Sequence, residues 1–240
     1  MIRVSDEGPV RVVTLNRPEK RNALTPDMLS ELAGAFRISH DTRAISCFGR
    51  GKSFCAGFDL RSHAPEPAHS VLRAQLEGLS ETIVAMRACS APIVMGIHGA
   101  AVAGGCALLG GADVVIAEPD AKLGYPVVKL GLSPAVSGPF LIGSTGGRAR
   151  GITLDAELVD GRRAAQLGLV HELADDARSA AIRLATRIAK KPGHGAMHTK
   201  RWTLDLEGVS DEAVRAGLNA SLDSLGPDTV ERIQREVFGQ

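Results

Sequence analysis

Hydrophobic and polar positions alternate along this chain in blocks that change period several times. Val10 to Leu15 is a short β-branched run closed by Asn16, Arg17 and Pro18, and it predicts a strand. Thr25-Pro26-Asp27 predicts a helix start, with Thr as the cap, Pro in the first turn and an acid at the positive end of the dipole. Met28, Leu29, Leu32, Ala33 and Phe36 then fall on one helical face. Ala44 to Phe48 predicts a second strand, stopped at Gly49-Arg50-Gly51. A polar loop over Ser62 to Ser70 leads into a long amphipathic helix carrying Val71, Leu72, Leu76, Leu79, Ile83 and Met86.

Ile93 to Ile97 predicts a third strand, broken at His98-Gly99, and Gly104 to Leu109 a small-residue helix made for close contact. Asp113 to Ala117 predicts a fourth strand before a turn at Glu118-Pro119-Asp120. Strands alternating with helices define an α/β class. Beyond residue 138 the strand signal persists only at Leu169 to Leu173. Helical patterns take over at Asp175 to Lys190, Gly195 to Leu206, Ser210 to Leu225 and Thr229 to Val237. The break at Lys191-Pro192-Gly193 divides the chain into a core, residues 1–191, and a helical region, residues 192–240, suited to oligomerisation or to covering the site.

Composition narrows the function classes. With 28 Lys and Arg against 27 Asp and Glu, the net charge of +1 excludes a general nucleic-acid binder, which would show a basic excess. The aromatic share is 3%, so single Trp202 and Tyr125 cannot form stacking platforms for bases or sugars. Cys47, Cys55, Cys89 and Cys106 show no CxxC spacing; they read as free thiols in a cytoplasmic protein with no metal centre. No run is apolar and long enough to span a membrane, and no leader pattern opens the sequence.

Several tempting motifs fail on spacing. Gly49-Arg50-Gly51-Lys52-Ser53 lacks the glycine a phosphate loop needs, because Ser46 stands in its place. His194 and His198 are one helical turn apart but lack a third ligand and a neighbouring Glu. No GxSxG elbow is present. Two glycine-bearing turns carry more information: Phe54 to Leu60 after the second strand, and His98 to Ala107 after the third. Each is expected to leave a strand and enter a helix, where free backbone N–H groups project. Side by side, two such turns could aim two donors at one oxygen, although glycines at such turns also serve packing alone.

The segments Asn16-Arg17-Pro18-Glu19-Lys20-Arg21-Asn22-Ala23-Leu24, Ser53 to Leu60, Ile97 to Leu109, Gly124-Tyr125-Pro126 to Gly131-Leu132, and Gly161 to Val170 together resemble the crotonase, or enoyl-CoA hydratase/isomerase, superfamily. The resemblance implies a crotonase-like spiral of ββα units with a C-terminal helical trimerisation region, assembled as a homotrimer or a hexamer (a dimer of trimers). It implies an acyl-CoA substrate, or less simply an acyl group on a carrier protein, with coenzyme A as part of the substrate and no separate cofactor. Carried over residue by residue, it places oxyanion-hole N–H groups on Phe58 and Gly104. It places Ala56, Phe58 and Leu60 along the CoA path, and Lys20 and Arg21 near the CoA phosphates.

The departures are as informative. The family's two hydratase glutamates fall at Ala107 and Val127, and a further acid used by some relatives falls around Ala135. Methyl groups move no protons, so efficient hydration is not expected even with an intact hole. Tyr125, His63 and Asp59 are the possible proton-transfer substitutes. Lys129 and Cys106 border the same segments, as a turn residue and a small core residue respectively. Three readings follow: an enoyl-CoA hydratase/isomerase-type lyase or isomerase that stabilises an enolate, a thioester decarboxylase, and a non-catalytic acyl-CoA-binding protein.

Overall fold

The computed structural model describes residues 1–60, 68–233 and 235–236. Along the chain the strands are β1 (Ile2–Glu7), β2 (Val10–Leu15), β3 (Ala44–Gly49), β4 (Ile93–Ile97), β5 (Ala100–Val102), β6 (Val114–Ala117), β7 (Lys122–Gly124), β8 (Val159–Asp160) and β9 (Glu172–Leu173). The α-helices are α1 (Pro26–Ala35), α2 (Ala68–Ala88), α3 (Gly104–Ala107), α4 (Gly138–Thr145), α5 (Arg150–Asp155), α6 (Gly161–Leu167), α7 (Ala177–Ala189), α8 (Gly193–Glu207), α9 (Asp211–Asp223) and α10 (Pro227–Ile233).

One sheet has the order β1-β2-β3-β4-β6-β9; β1 pairs antiparallel to β2, and every later pair is parallel. Helices cover both faces of its centre, which is why β3 and β4 read as nearly continuous apolar runs rather than alternating ones. One face packs on the main core with α1 and α2. On the other, Ala177, Ala180, Ala181 and Ala185 of α7 lie against Val12, Ala44, Val94 and Ile116. Methyl-sized side chains let that helix approach the sheet closely.

A second, smaller sheet has the order β5-β7-β8, with β5 and β7 parallel. Its strands are the continuation of the first sheet's: β4 turns at His98-Gly99 into β5, and β6 turns at residues 118–121 into β7. The corner at Gly99 has φ +61°, and a β-carbon there would fall 2.0 Å from the Lys52 carbonyl oxygen, so only glycine fits. The preceding turns join the same stack through single parallel bridges, Cys55 to Ala101 and Leu24 to Phe58. Strand, corner, second strand and helix therefore repeat along an axis, giving a spiral of ββα units.

The buried runs and long helices lie where the hydrophobic pattern predicts them, within a few residues at the ends. Differences are local. The expected strand at Asp113 begins at Val114, and Leu169 to Leu173 pairs only at Glu172–Leu173. The Gly104 helix is four residues long and continues as a 3-10 turn, Leu108–Gly111. The expected loop to Ser70 gives way to α2 by Ala68. Strands β1, β5, β7 and β8 have no counterpart in the sequence pattern. Three are two or three residues long, and β1 is polar and mostly exposed.

The helices beyond residue 192 are tied to what precedes them. Lys200 is buried and reaches Asp113 at 2.9 Å and the carbonyls of Met86 and Ala91 at 3.2 Å. Ser221 accepts the Val136 N–H at 2.7 Å and donates to the Ser133 carbonyl at 2.9 Å. Among the described residues, no helix is long and apolar enough to cross a membrane.

Candidate active site

The two glycine turns meet at the small sheet. Gly57 has φ +93°, and a β-carbon on it would lie 3.0 Å from the Val102 carbonyl oxygen and 3.7 Å from the Gly104 nitrogen. Gly104 in turn touches the Phe58 ring: a β-carbon there would stand 3.0 Å from Cε1. Several backbone N–H groups of these turns are engaged in the fold. Ala56 donates to Arg21, Asp59 to Leu24, Ala103 to Gly124 and Ala107 to Ala103, at 2.8–3.0 Å. Among the described residues, no backbone carbonyl outside regular helices and strands takes the N–H of Phe58 or Gly104.

Ala103 explains how Gly104 is held. Its backbone sits at φ 51°, ψ −116°, a conformation L-residues avoid, at the head of α3. The strain is sustained by the 2.8 Å bond from Ala103 N–H to the Gly124 carbonyl and by the parallel pairing of β5 with β7. The Phe58 turn is held differently, and the expectation that it enters a helix is corrected here. Residues 55–58 make bridges to Ala101 and Leu24 instead, and the next described helix starts at Ala68.

Asp59 lies behind that turn in a buried ion pair with Arg17, and Gln75 Nε2 donates to the carbonyls of Leu24 at 2.9 Å and Asp59 at 3.2 Å. Asn22 closes the other side: its side-chain amide donates to Arg50, Ser53 and Phe54, and its oxygen accepts the Arg17 N–H at 2.8 Å. Gln75 carries no motif, and Asn22 stands in the first resembling segment with no role readable from it. Only the folded chain shows that they brace the turn.

Phe58, Gly104, Ala107, Tyr125, Val127 and Ser137 line one small pocket of about 30 Å³ with α2 residues Leu76 and Leu79. Ala107 and Val127 thus line the same space as Phe58 and Gly104. Among the described lining residues there is no carboxylate; the polar groups are Tyr125, Ser133 and Ser137. Tyr125 is buried, and burial pushes its hydroxyl well above the usual phenol range, with Cys106 and Ser137 beside it. Burial likewise pushes the Cys106 thiol up to about 12, which makes it an inert core group at neutral pH.

Lys20 and Arg21 are exposed, and the Arg21 carbonyl accepts the Ala56 N–H at 3.0 Å, so both adjoin half-buried Ala56. Leu60 is half-buried and packs on the main core. Lys129 is exposed and paired with Glu157 at 2.7 Å, and Ala135 lines a separate surface groove. His63 lies outside the described residues. His194 lies on α8, one turn from His198, and the described residues hold no group of three potential metal ligands.

A spiral of paired strands with two convergent glycine turns defines a class of protein, and sequence comparison places the chain within it. A profile of the enoyl-CoA hydratase/isomerase family matches residues 5–223, and the chain belongs to that family. It is 32% identical over 199 residues to the 1,2-epoxyphenylacetyl-CoA isomerase of Escherichia coli K12, covering 79% of this chain and 76% of that protein. A Thermus thermophilus protein provisionally assigned as an enoyl-CoA hydratase is 34% identical over 219 residues, covering 86% and 85%. Among solved structures, an enoyl-CoA hydratase/isomerase from Mycobacterium paratuberculosis superposes with a TM-score of 0.85 at 28% identity, over 98% of this chain and 97% of that one. One from Xanthobacter autotrophicus Py2 gives 0.83 at 29% identity, over 98% and 93%.

Proposed function

We propose that this chain binds an acyl-CoA thioester, with its carbonyl oxygen between the N–H groups of Phe58 and Gly104, and stabilises the enolate. The observation that carries the reading is the pairing of these two donors on touching turns, each with one neighbouring N–H taken up by the fold, beside one pocket. A donor aimed where charge develops is worth about 2.7–4 kcal/mol of transition-state stabilisation. Lys20 and Arg21 at the adjoining edge are suited to the CoA phosphates, and Ala56, Phe58 and Leu60 to its path inward.

The wall at Ala107 and Val127 favours a second reading over hydration. Loss of CO₂ from a malonyl-type thioester forms the enolate with no base, so two donors and an aliphatic wall suffice. Hydration needs carboxylates to position water and to move a proton, each group contributing roughly 10²–10⁴ in rate.

Two measurements test this. Acyl-CoA should raise the unfolding temperature; ligand at a hundred times its Kd adds about 2.7 kcal/mol. Absence of any shift defeats the reading. The double variant Ala107→Glu, Val127→Glu should gain hydration of crotonyl-CoA at least a hundredfold over the parent chain. No gain, with acyl-CoA binding retained, would mean that the carbonyl does not lie between Phe58 and Gly104.

A further inference from the structure

Behind the site pocket lies a second cavity, of about 230 Å³, bordered by Arg87, Asp113, His171, Thr203 and Glu207. Ala107, Tyr125 and Ser137 line both spaces and form the partition between them. The front space is walled mainly by aliphatic groups. The rear one is polar, and its charges are fixed in ion pairs, Arg87 with Glu207 at 2.8 Å and Asp113 with Lys200 at 2.9 Å. A polar chamber of that size suits several ordered waters. It reaches the surface beside His171, which is exposed, and Glu207, which is partly so.

Only one partition residue has a proton to give. Ala107 has none. Ser137 donates its hydroxyl proton to the Pro134 carbonyl at 2.8 Å, so it is left as an acceptor. The Tyr125 hydroxyl stands beside Ser137 and beside Cys106, which lines the rear cavity alone. Burial disfavours the phenolate, so the hydroxyl holds its proton at rest and, once it has donated, must regain one from water. We propose that Tyr125 is the proton donor to the α-carbon of the bound thioester enolate, and that the rear cavity is the water-filled route that reprotonates it.

The proposal rests on the enolate reading above. For a malonyl-type thioester the step balances as follows. The bond from the α-carbon to the carboxylate breaks, CO₂ leaves, and its electron pair becomes the enolate. The α-carbon then takes the phenol proton, and the phenolate takes one from water in the rear cavity, with one solvent proton consumed in all. Delivery from one fixed group makes protonation one-sided.

The test uses a methyl-substituted malonyl-CoA in D₂O, with product handedness read by mass spectrometry and NMR, and binding read by thermal shift. The parent chain should give a single enantiomer of α-deuterated product. Tyr125→Phe should bind equally well, yet give a near-racemic product or release product at least a hundredfold more slowly. Ala112→Leu, which narrows the rear cavity away from the pocket, should slow product formation about tenfold with unchanged binding. One-handed product at the parent rate from Tyr125→Phe overturns the proposal, as does a parent chain that binds the thioester but neither releases CO₂ nor labels product. A parent chain that does not bind at all overturns the enolate reading itself, and the relay with it.

Discussion

Ala103 carries backbone strain beside one candidate donor, and Gly57 holds a conformation open to glycine beside the other. An alanine at φ 51° has no signature in the sequence; the neighbouring strand bonds impose it. Gly57 is more legible, because a glycine between Ala56 and Phe58 suggests a turn, but its reason is a close approach that only the fold reveals. Gly57→Ala should cost about 1–3 kcal/mol, since the new methyl meets the Val102 carbonyl in a left-handed backbone. Because the strain falls on the residue before Phe58, acyl-CoA affinity should fall as well. Urea unfolding and a binding titration check the two halves, and a destabilised variant with parental affinity would detach this turn from the site. At Ala107 and Val127 the residue type is legible from sequence, since an alkyl side chain has no ionisable proton wherever it stands.

At the scale of elements, what could be read was whatever buried a long apolar stripe. Helix α1 begins at the predicted cap, where Thr25 Oγ1 accepts the Met28 N–H at 3.1 Å. Thr25→Ala should cost about 1 kcal/mol by freeing that N–H, measured as a lower urea midpoint. Helix α1 packs on α2, which brings Leu76 and Leu79 to the pocket, so the cap supports the site at one remove. The strands of the second sheet were not readable. Ala100–Val102 and Lys122–Gly124 are too short to show a period, and they exist only because β4 and β6 turn a corner into them. The Phe58 turn looks like a helix entrance in the sequence for the same reason: the partners of its bridges, Leu24 for Phe58 and Ala101 for Cys55, are distant in sequence.

Across the whole molecule, titration and assembly offer separate tests. His98 is buried at the corner between the sheets; Nε2 faces the Gly51 carbonyl at 3.1 Å, and buried Nδ1 has no partner among the described residues. Burial holds its pKa below the usual value, with Arg178 acting in the same direction. The charged form is therefore disfavoured in the folded chain. The stability this group contributes is present above its unfolded pKa, about 6.5, and is lost as pH falls through the lower folded value. The urea midpoint should drop between pH 7 and pH 5, and His98→Gln, which can still donate to Gly51, should shrink that drop. Assembly as a trimer or hexamer is proposed through the helical region after residue 192. Trp202 and Leu206, 62% and 67% exposed, stand one turn apart on α8 and are candidates for covered positions. Trp202→Ser with Leu206→Ser should lower the mass seen by light scattering. An unchanged mass would place the interface elsewhere. Truncation at Pro192 is a poorer test, because it would strip Lys200 and Ser221 from the groups they satisfy.

The sequence alone determined the α/β class, the long helices, the buried strands and the aliphatic side chains at positions 107 and 127. Each depends on local periodicity or on which atoms a side chain has. Tertiary structure alone decided that Phe58 and Gly104 touch, that Gln75 and the Arg17–Asp59 pair brace one turn, and that Tyr125 divides an apolar pocket from a polar cavity. Those relations join residues separated by tens of positions, and they arise only when successive turns of the spiral stack and bury them together.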